Sequence, residues 1–293
     1  HLDYIGDILN QKSISFDGVT DGDFYIFRLF NNPYYRGGLN VIDAAINDYT
    51  IGNLGVTSQW DEDKKCIAFK TTLDSELPDN TIAHSDIFGG VFLGDDSLYI
   101  EGKLKDVDLK FLRKYIGSVM SNNTGTVSGL VKAYGHFGSI GLDGIAYVKD
   151  MNFDIDFLKT SYSLSDTVYL KPTSIQLVQS PVYDKEGNHG VVNGIVIHNG
   201  FKNFKFAVDV ACHNLLSLNT REQDNETFFG KAYSNGQVKI SGTPNEVNFD
   251  LNLKTMPNTK ITIPVGTYAN AGNNDFITFI DSPDKMSADA LRQ

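Results

Sequence analysis

GTVSGLVKAYGHFGSIGLD, residues 125–143, decides how this chain folds, because its pattern is written twice. The second copy is GQVKISGTPNEVNFD, residues 236–250. Counted from Gly129 and Gly236, both carry Val (131, 238), Lys (132, 239) and Gly (135, 242) at the same steps. A β-branched residue (Ile140, Val247), a large apolar residue (Leu142, Phe249) and an acid (Asp143, Asp250) follow in step. The unit reads as a hairpin: a strand from Gly129 to Tyr134, a turn over Gly135–Ser139, and a return strand from Ile140. Val131 and Ala133 then share a face with Ile140 and Leu142. Glycine at both strand ends permits positive φ or close backbone approach. Looser copies run from Gly194 to Gly200, leading into Phe204 and Phe206, and from Ser97 to Leu109.

Outward from the repeat, period-two alternation continues. VNFDLNLK (247–254) sends Val247, Phe249, Leu251 and Leu253 one way and polar residues the other. FKFAVDV (204–210), NFDIDFL (152–158), SIQLV (174–178) and TKITIPV (259–265) do the same. One apolar face and one wet face mark antiparallel strands. Turn-forming clusters at Asp61, Leu93, Tyr183 and Gly242 separate them. Helix is scarce. Asp108–Met120 predicts one short amphipathic helix, with Asp108 as N-cap and Leu109, Leu112, Ile116 and Val119 at helical spacing. Tyr4–Leu9 predicts a second or a frayed end. No linker divides the chain, so the expectation is a single repeat-built β domain over 1–281 and a polar, mobile tail over 282–293. The fold class is all-β: hairpins recurring along one extended antiparallel sheet.

Composition narrows the function. With 41% hydrophobic and 12% aromatic residues the chain can bury a core. Its net charge of −11 and lack of basic clusters argue against nucleic acid and against anionic lipid headgroups as partners. Individual acyl chains remain possible ligands. Two cysteines, Cys66 and Cys212, form no disulfide framework. No apolar run approaches the ~18 residues of a membrane span. The chain opens on His1 rather than Met, and so reads as a piece of a longer protein.

The search for chemistry yields little. The six histidines (1, 84, 136, 189, 198 and 213) lack metal-ligand spacing, which favours structural or surface roles. Ser128 lies in Gly-Thr-Val-Ser-Gly rather than a nucleophile elbow. Asp17, Asp21 and Asp23 lack the cadence of a calcium loop. Asn122 and Asn225 fit a glycosylation sequon, a pattern common by accident. Asp143 and Asp250 recur at equivalent steps on the wet face, which argues for a register role. No catalytic, cofactor-binding or metal-binding residue is expected.

The segments GKAYSNGQVKISGTPNEVNFDLNLKT (230–255), ITIPV (261–265) and NDFITFID (274–281) resemble the C-terminal region of the TamB family. These are translocation-and-assembly module proteins within the AsmA-like, bridge-like lipid transfer group. Residues 125–150, YRGGLNVIDAAINDYTIGNLGVTSQW (35–60) and VYDKEGNHG (182–190) are similar to its repeat hairpins and turns. The resemblance spans about Gly38 to Ile280, and its motifs are repeat grammar rather than catalytic signatures. It implies a sheet curled about its apolar face into a taco-like groove, an open jelly-roll-like wall. It further implies a non-enzymatic periplasmic part of an inner-membrane-anchored protein of double-membraned bacteria. The implied work is phospholipid transport between the membranes, or outer-membrane protein assembly and secretion with a barrel partner of the TamA type. Phe276–Ile280 is the one evident candidate for a barrel-docking end.

On this reading the groove is lined by Val131, Ala133, Ile140, Leu142, Phe153, Ile155, Val196, Phe204, Phe206, Val238, Ile240, Val247, Phe249 and Leu251, with phospholipid acyl chains as the ligand. Alternation alone fits a closed sandwich with a dry core equally well. Two other readings remain: a scaffold that binds client strands at its sheet edge, and a secreted carbohydrate-binding or adhesin-like module. The single tryptophan, Trp60, and the scattered tyrosines count against the last.

Overall fold

The structure, a computed structural model, describes residues 15–28, 34–116, 120–200 and 202–264. Strand follows strand: β1 (Phe16–Phe27), β2 (Tyr34–Ile46), β3 (Tyr49–Asp61), β4 (Cys66–Glu76), β5 (Ile82–Phe92) and β6 (Ser97–Asp108). A 3-10 turn at Leu109–Leu112 and a single helical turn, α1 (Arg113–Ile116), interrupt the series. It resumes with β7 (Met120–Ser121), β8 (Thr126–His136), β9 (Ser139–Ile155), β10 (Thr160–Lys171) and β11 (Ser174–Asp184). β12 (His189–Asn199), β13 (Lys202–Thr220), β14 (Phe229–Thr243), β15 (Glu246–Thr255) and β16 (Lys260–Thr262) complete it. Fourteen of these sixteen strands form one path in chain order, each antiparallel to the last, while β7 attaches to β9 and β16 to β14. The terminal strands of the path, β1 and β15, do not pair, so the sheet is a curled, groove-like wall and not a barrel. This is the all-β antiparallel sheet that the alternation predicts, curled as the resemblance implies.

The repeat has a physical explanation in the ladder. Lys132 sits directly opposite Asp143, and Lys239 directly opposite Asp250. Each lysine also faces an acid on its other side, Glu101 or Asp209. Opposite charges at paired positions favour one register over its neighbours. Glycine is required where backbones approach. A Cβ on Gly129 would lie 2.3 Å from the Ile145 carbonyl oxygen. At Gly236, with φ +133°, it would lie 2.1 Å from that of Asn252.

Five strands carry a β-bulge of one design. Asp43 (β2), Asp106 (β6), Asp150 (β9), Gln179 (β11) and Asn214 (β13) all have φ near +50° and mark register shifts. In each, the freed backbone N–H donates to a side-chain oxygen on the next strand. The acceptors are Asn53 Oδ1 (3.0 Å), Ser128 Oγ (2.8 Å), Ser165 Oγ (2.8 Å), Asn193 Oδ1 (2.9 Å) and Asn235 Oδ1 (2.6 Å). An inserted residue bends and twists its strand. Recurring on β2, β6, β9, β11 and β13, the bulges give the wall its curl. Three of the acceptors directly precede a glycine of the repeat: Ser128-Gly129, Asn193-Gly194 and Asn235-Gly236.

The helix expected over Asp108–Met120 needs correction. Asp108 does cap it, with Oδ1 accepting from Lys110 N–H at 2.8 Å. The segment nevertheless splits into the 3-10 turn and α1, and Met120 is already in β7, paired with Ile155. A helix this short is marginal alone and survives only where packing holds it, so ladder pairing takes over at Met120. Tyr4–Leu9, Phe276–Ile280 and the tail 282–293 lie outside the described residues.

Candidate functional site

The register defines the concave face. One row of directly paired residues crosses all fourteen strands of the path: Gly22, Leu39, Val56, Thr71, Ile87, Gly102, Val131, Gly144, Leu170, Ile175, Val196, Phe206, Gly242 and Val247. No member is charged. A parallel row runs Leu104, Gly129, Ala146, Val168, Leu177, Gly194, Val208, Ile240, Phe249. A third runs Val192, Val210, Val238, Leu251. Ala133 pairs with Leu142 and Ile140 with Gly135, while Phe153 pairs with Tyr162 and Ile155 with Thr160. Phe204 precedes Phe206 by two residues on β13, so alternation points both the same way. All fourteen residues read from the sequence as a wall therefore lie on this one face. Phe153 and Ile155 do so because the bulge at Asp150 resets the alternation.

Exposure varies along the wall. Ile140 is 7% exposed, most of the others are half-buried, and Phe249 and Leu251 at the C-terminal edge are 48% and 60% exposed. One short segment packs onto the face. Leu109, from the 3-10 turn, is buried against Val148 and Leu164, with Phe111, Leu112, Val127, Met151, Phe153 and Val168 packed around it. From the same segment the Arg113 guanidinium lies 5.6 Å from the Tyr49 ring centre, and Lys114 Nζ donates to Asn47 Oδ1 at 3.2 Å. Tyr115 OH accepts from Asn47 Nδ2 at 3.2 Å, and its ring stands 5.7 Å from that of Phe204. Asn123, fully buried, holds the segment's base: its Oδ1 accepts from Arg113 Nε, and its Nδ2 donates to the Leu109 carbonyl. One short segment thus bridges β3, the β8–β10 wall and β13, forming a plug in the groove. Sequence reasoning missed this plug. Its signal was there: the segment's apolar residues need a surface to cover, and its helical spacing says nothing of which.

The far end of the curl is fixed by polar contacts between strands that are not neighbours. Tyr162 OH on β10 donates to the Leu216 carbonyl on β13 at 2.7 Å. Leu216 N–H donates to Asp184 Oδ2, and Asp184 Oδ1 accepts the Glu186 and Asn188 N–H groups in the following turn. Burial pushes the Tyr162 hydroxyl up to about 12. Burial opposes the ionised form of Asp184, but the Asn188 side-chain amide, which donates to Oδ2 at 3.0 Å, together with these N–H donors holds the carboxyl below the usual carboxylate range. Cys66 and Cys212 are free, buried thiols pushed up by desolvation, which suits inert packing rather than reactivity. No helix among the described residues is long and apolar enough to cross a membrane.

A curled, groove-like sheet of repeated hairpins is what the resemblance implied, and family comparison bears on the same region. Residues 181–292 match the family model of the TamB C-terminal domain. Over this stretch the chain is similar to the TamB C-terminal domain. The TamB match begins in β11, and the sheet runs upstream from there to β1 without a break in pairing. No curated protein and no solved structure matches the chain significantly. The TamB region holds Val196, Phe204, Phe206 and the five wall residues from Val238 to Leu251. Val131, Ala133, Ile140, Leu142, Phe153 and Ile155 stand on the upstream continuation of that wall.

Proposed function

We propose that this chain is a non-enzymatic segment of the bacterial cell envelope whose concave face holds phospholipid acyl chains. The observation that carries the reading is the uncharged row from Gly22 to Val247, which crosses the whole path of the sheet on one face. An exposed large apolar side chain forfeits roughly 1.5–3 kcal/mol of burial, and an acyl chain supplies that cover without any specific polar reader. The match to the TamB C-terminal domain supports a role in envelope assembly. In this reading the segment is periplasmic and passes phospholipid between the membranes, and its parent engages an outer-membrane barrel of the TamA type.

The test is mass spectrometry of lipid extracted from the detergent-free chain, beside Phe249→Asp. Phe249 is half exposed, so the substitution leaves folding intact while placing a charge on the wall. Stoichiometric phospholipid in the wild type, reduced severalfold in Phe249→Asp, is expected. A lipid-free wild-type chain that unfolds cooperatively would sink the reading. The edge at β15 favours a second function, capture of extended outer-membrane-protein strands. Among the described residues its outer side is unpaired and it presents Phe249 and Leu251. Binding of such peptides by the lipid-free chain would support it.

A further inference from the structure

The outer face carries a feature that neither the groove nor the family explains. His189 on β12 and His213 on β13 are 24 residues apart in the chain and directly opposite each other in the ladder. They alternate with Gly190 and Cys212, which face inward, and both are exposed. Their ring centres are 5.1 Å apart and their planes are inclined by 30°. Neither imidazole is committed to a hydrogen bond with another described residue.

We infer that His189 and His213 form a two-point chelate for a divalent transition cation of the zinc class. Zinc binds imidazole nitrogen at about 2.0–2.1 Å in tetrahedral geometry, which places each ring centre about 3.2 Å from the metal and the two centres about 5 Å apart. The rings already stand at that spacing. Their backbone is fixed as well: the bulge at Asn214 is held by Asn235 Oδ1, and Asn214 Nδ2 donates at 2.9 Å to Oδ1 of Asn188, the residue directly before β12. Tyr183, paired with His189 from β11, flanks the pair with its ring 6.4 Å away. Imidazole selects zinc, nickel and copper over calcium and magnesium, which prefer oxygen donors. Among the described residues no group of three or more His, Cys, Asp or Glu is placed to hold a metal. The pair therefore supplies two ligands and water the remainder. The bound ion would tie β12 to β13 from the outside and stabilise their hairpin by mass action.

Calorimetric titration of the chain with zinc tests this, alongside His189→Gln, His213→Gln and a control, His84→Gln. His84 is also exposed and is engaged by Asp74 at 2.7 Å. Expected is one ion per chain, bound at least fivefold more weakly by either His189→Gln or His213→Gln and within twofold of wild type by His84→Gln. Circular dichroism without metal checks that the variants fold. Should either groove-independent substitution weaken binding less than fivefold, or His84→Gln weaken it as much, the inference fails. It fails too if the wild type takes up no zinc. A second measurement needs no variant: nickel must broaden amide resonances of β12 and β13 first, and broadening centred elsewhere overturns the site.

Discussion

Asn193 holds a backbone N–H, that of Gln179, which the bulge has removed from the ladder. Replacing it by Ala strands that donor, and a net loss of about 1 kcal/mol is expected in urea unfolding. Asn193→Asp keeps an acceptor and should recover most of the loss. Were both variants equally destabilised, the side-chain oxygen would not be the reason for the residue. Tyr162 makes a prediction at high pH. Its hydroxyl normally titrates near 10 and in the fold is pushed up to about 12. The folded state holds the proton more tightly, so its contribution is whole below about pH 10 and is lost as pH rises towards 12. That amounts to roughly 2–3 kcal/mol over the window. Tyr162→Phe should remove this part of the alkaline slope, measured by denaturation at pH 9, 10.5 and 12. At this scale the sequence was legible where chemistry alternates: Val131, Leu142 and Phe249 were assigned a face from period two alone. The acceptors Asn53, Ser165 and Asn235 were not, because a bulge partner has no period and its donor lies on another strand.

The plug is the element on which groove geometry turns. Leu109 is 3% exposed, so Leu109→Ala should cost about 2–4 kcal/mol of stability through the cavity it leaves. Removing the segment's tethers instead, with Arg113→Ala and Tyr115→Ala together, should leave the sheet folded while amides of Leu109–Ile116 exchange at least tenfold faster. If exchange is unchanged, the contacts to Tyr49, Asn47 and Phe204 do not hold the segment. Capping by Asp108 could be read in advance because it is local. The strand pairing of Met120 could not, because its partner Ile155 lies 35 residues away. The histidine pair on β12 and β13 belongs to the same class: spacing along the chain is silent, and register alone brings the rings together.

Across the whole molecule, ladder neighbours carry most contacts, as in other repeat-built folds whose stability is a sum of units and interfaces. Amide exchange should therefore rise towards the edges, fastest in β1 and β16 and slowest in β9–β13, where Tyr162 and Leu216 lock non-adjacent strands. Uniform protection from β1 to β15 would contradict that expectation. Alternation made the antiparallel sheet legible but was silent between an open wall and a closed sandwich, since both demand the same apolar face. What separates them is the bend, and the bend comes from the bulges. These have a consequence for how such a chain tolerates change. Each behaves like a frameshift in a two-letter code, swapping inside for outside downstream of itself and so correcting a strand that would otherwise run out of phase. Excising Asn152 would send Phe153 and Ile155 to the solvent side and Asp154 into the groove, whereas excising Asp150 removes the bulge with its extra residue and leaves Met151, Phe153 and Ile155 inside. Drift in length along these strands is thus allowed in twos and forbidden in ones, unless a bulge is gained or lost to restore the phase.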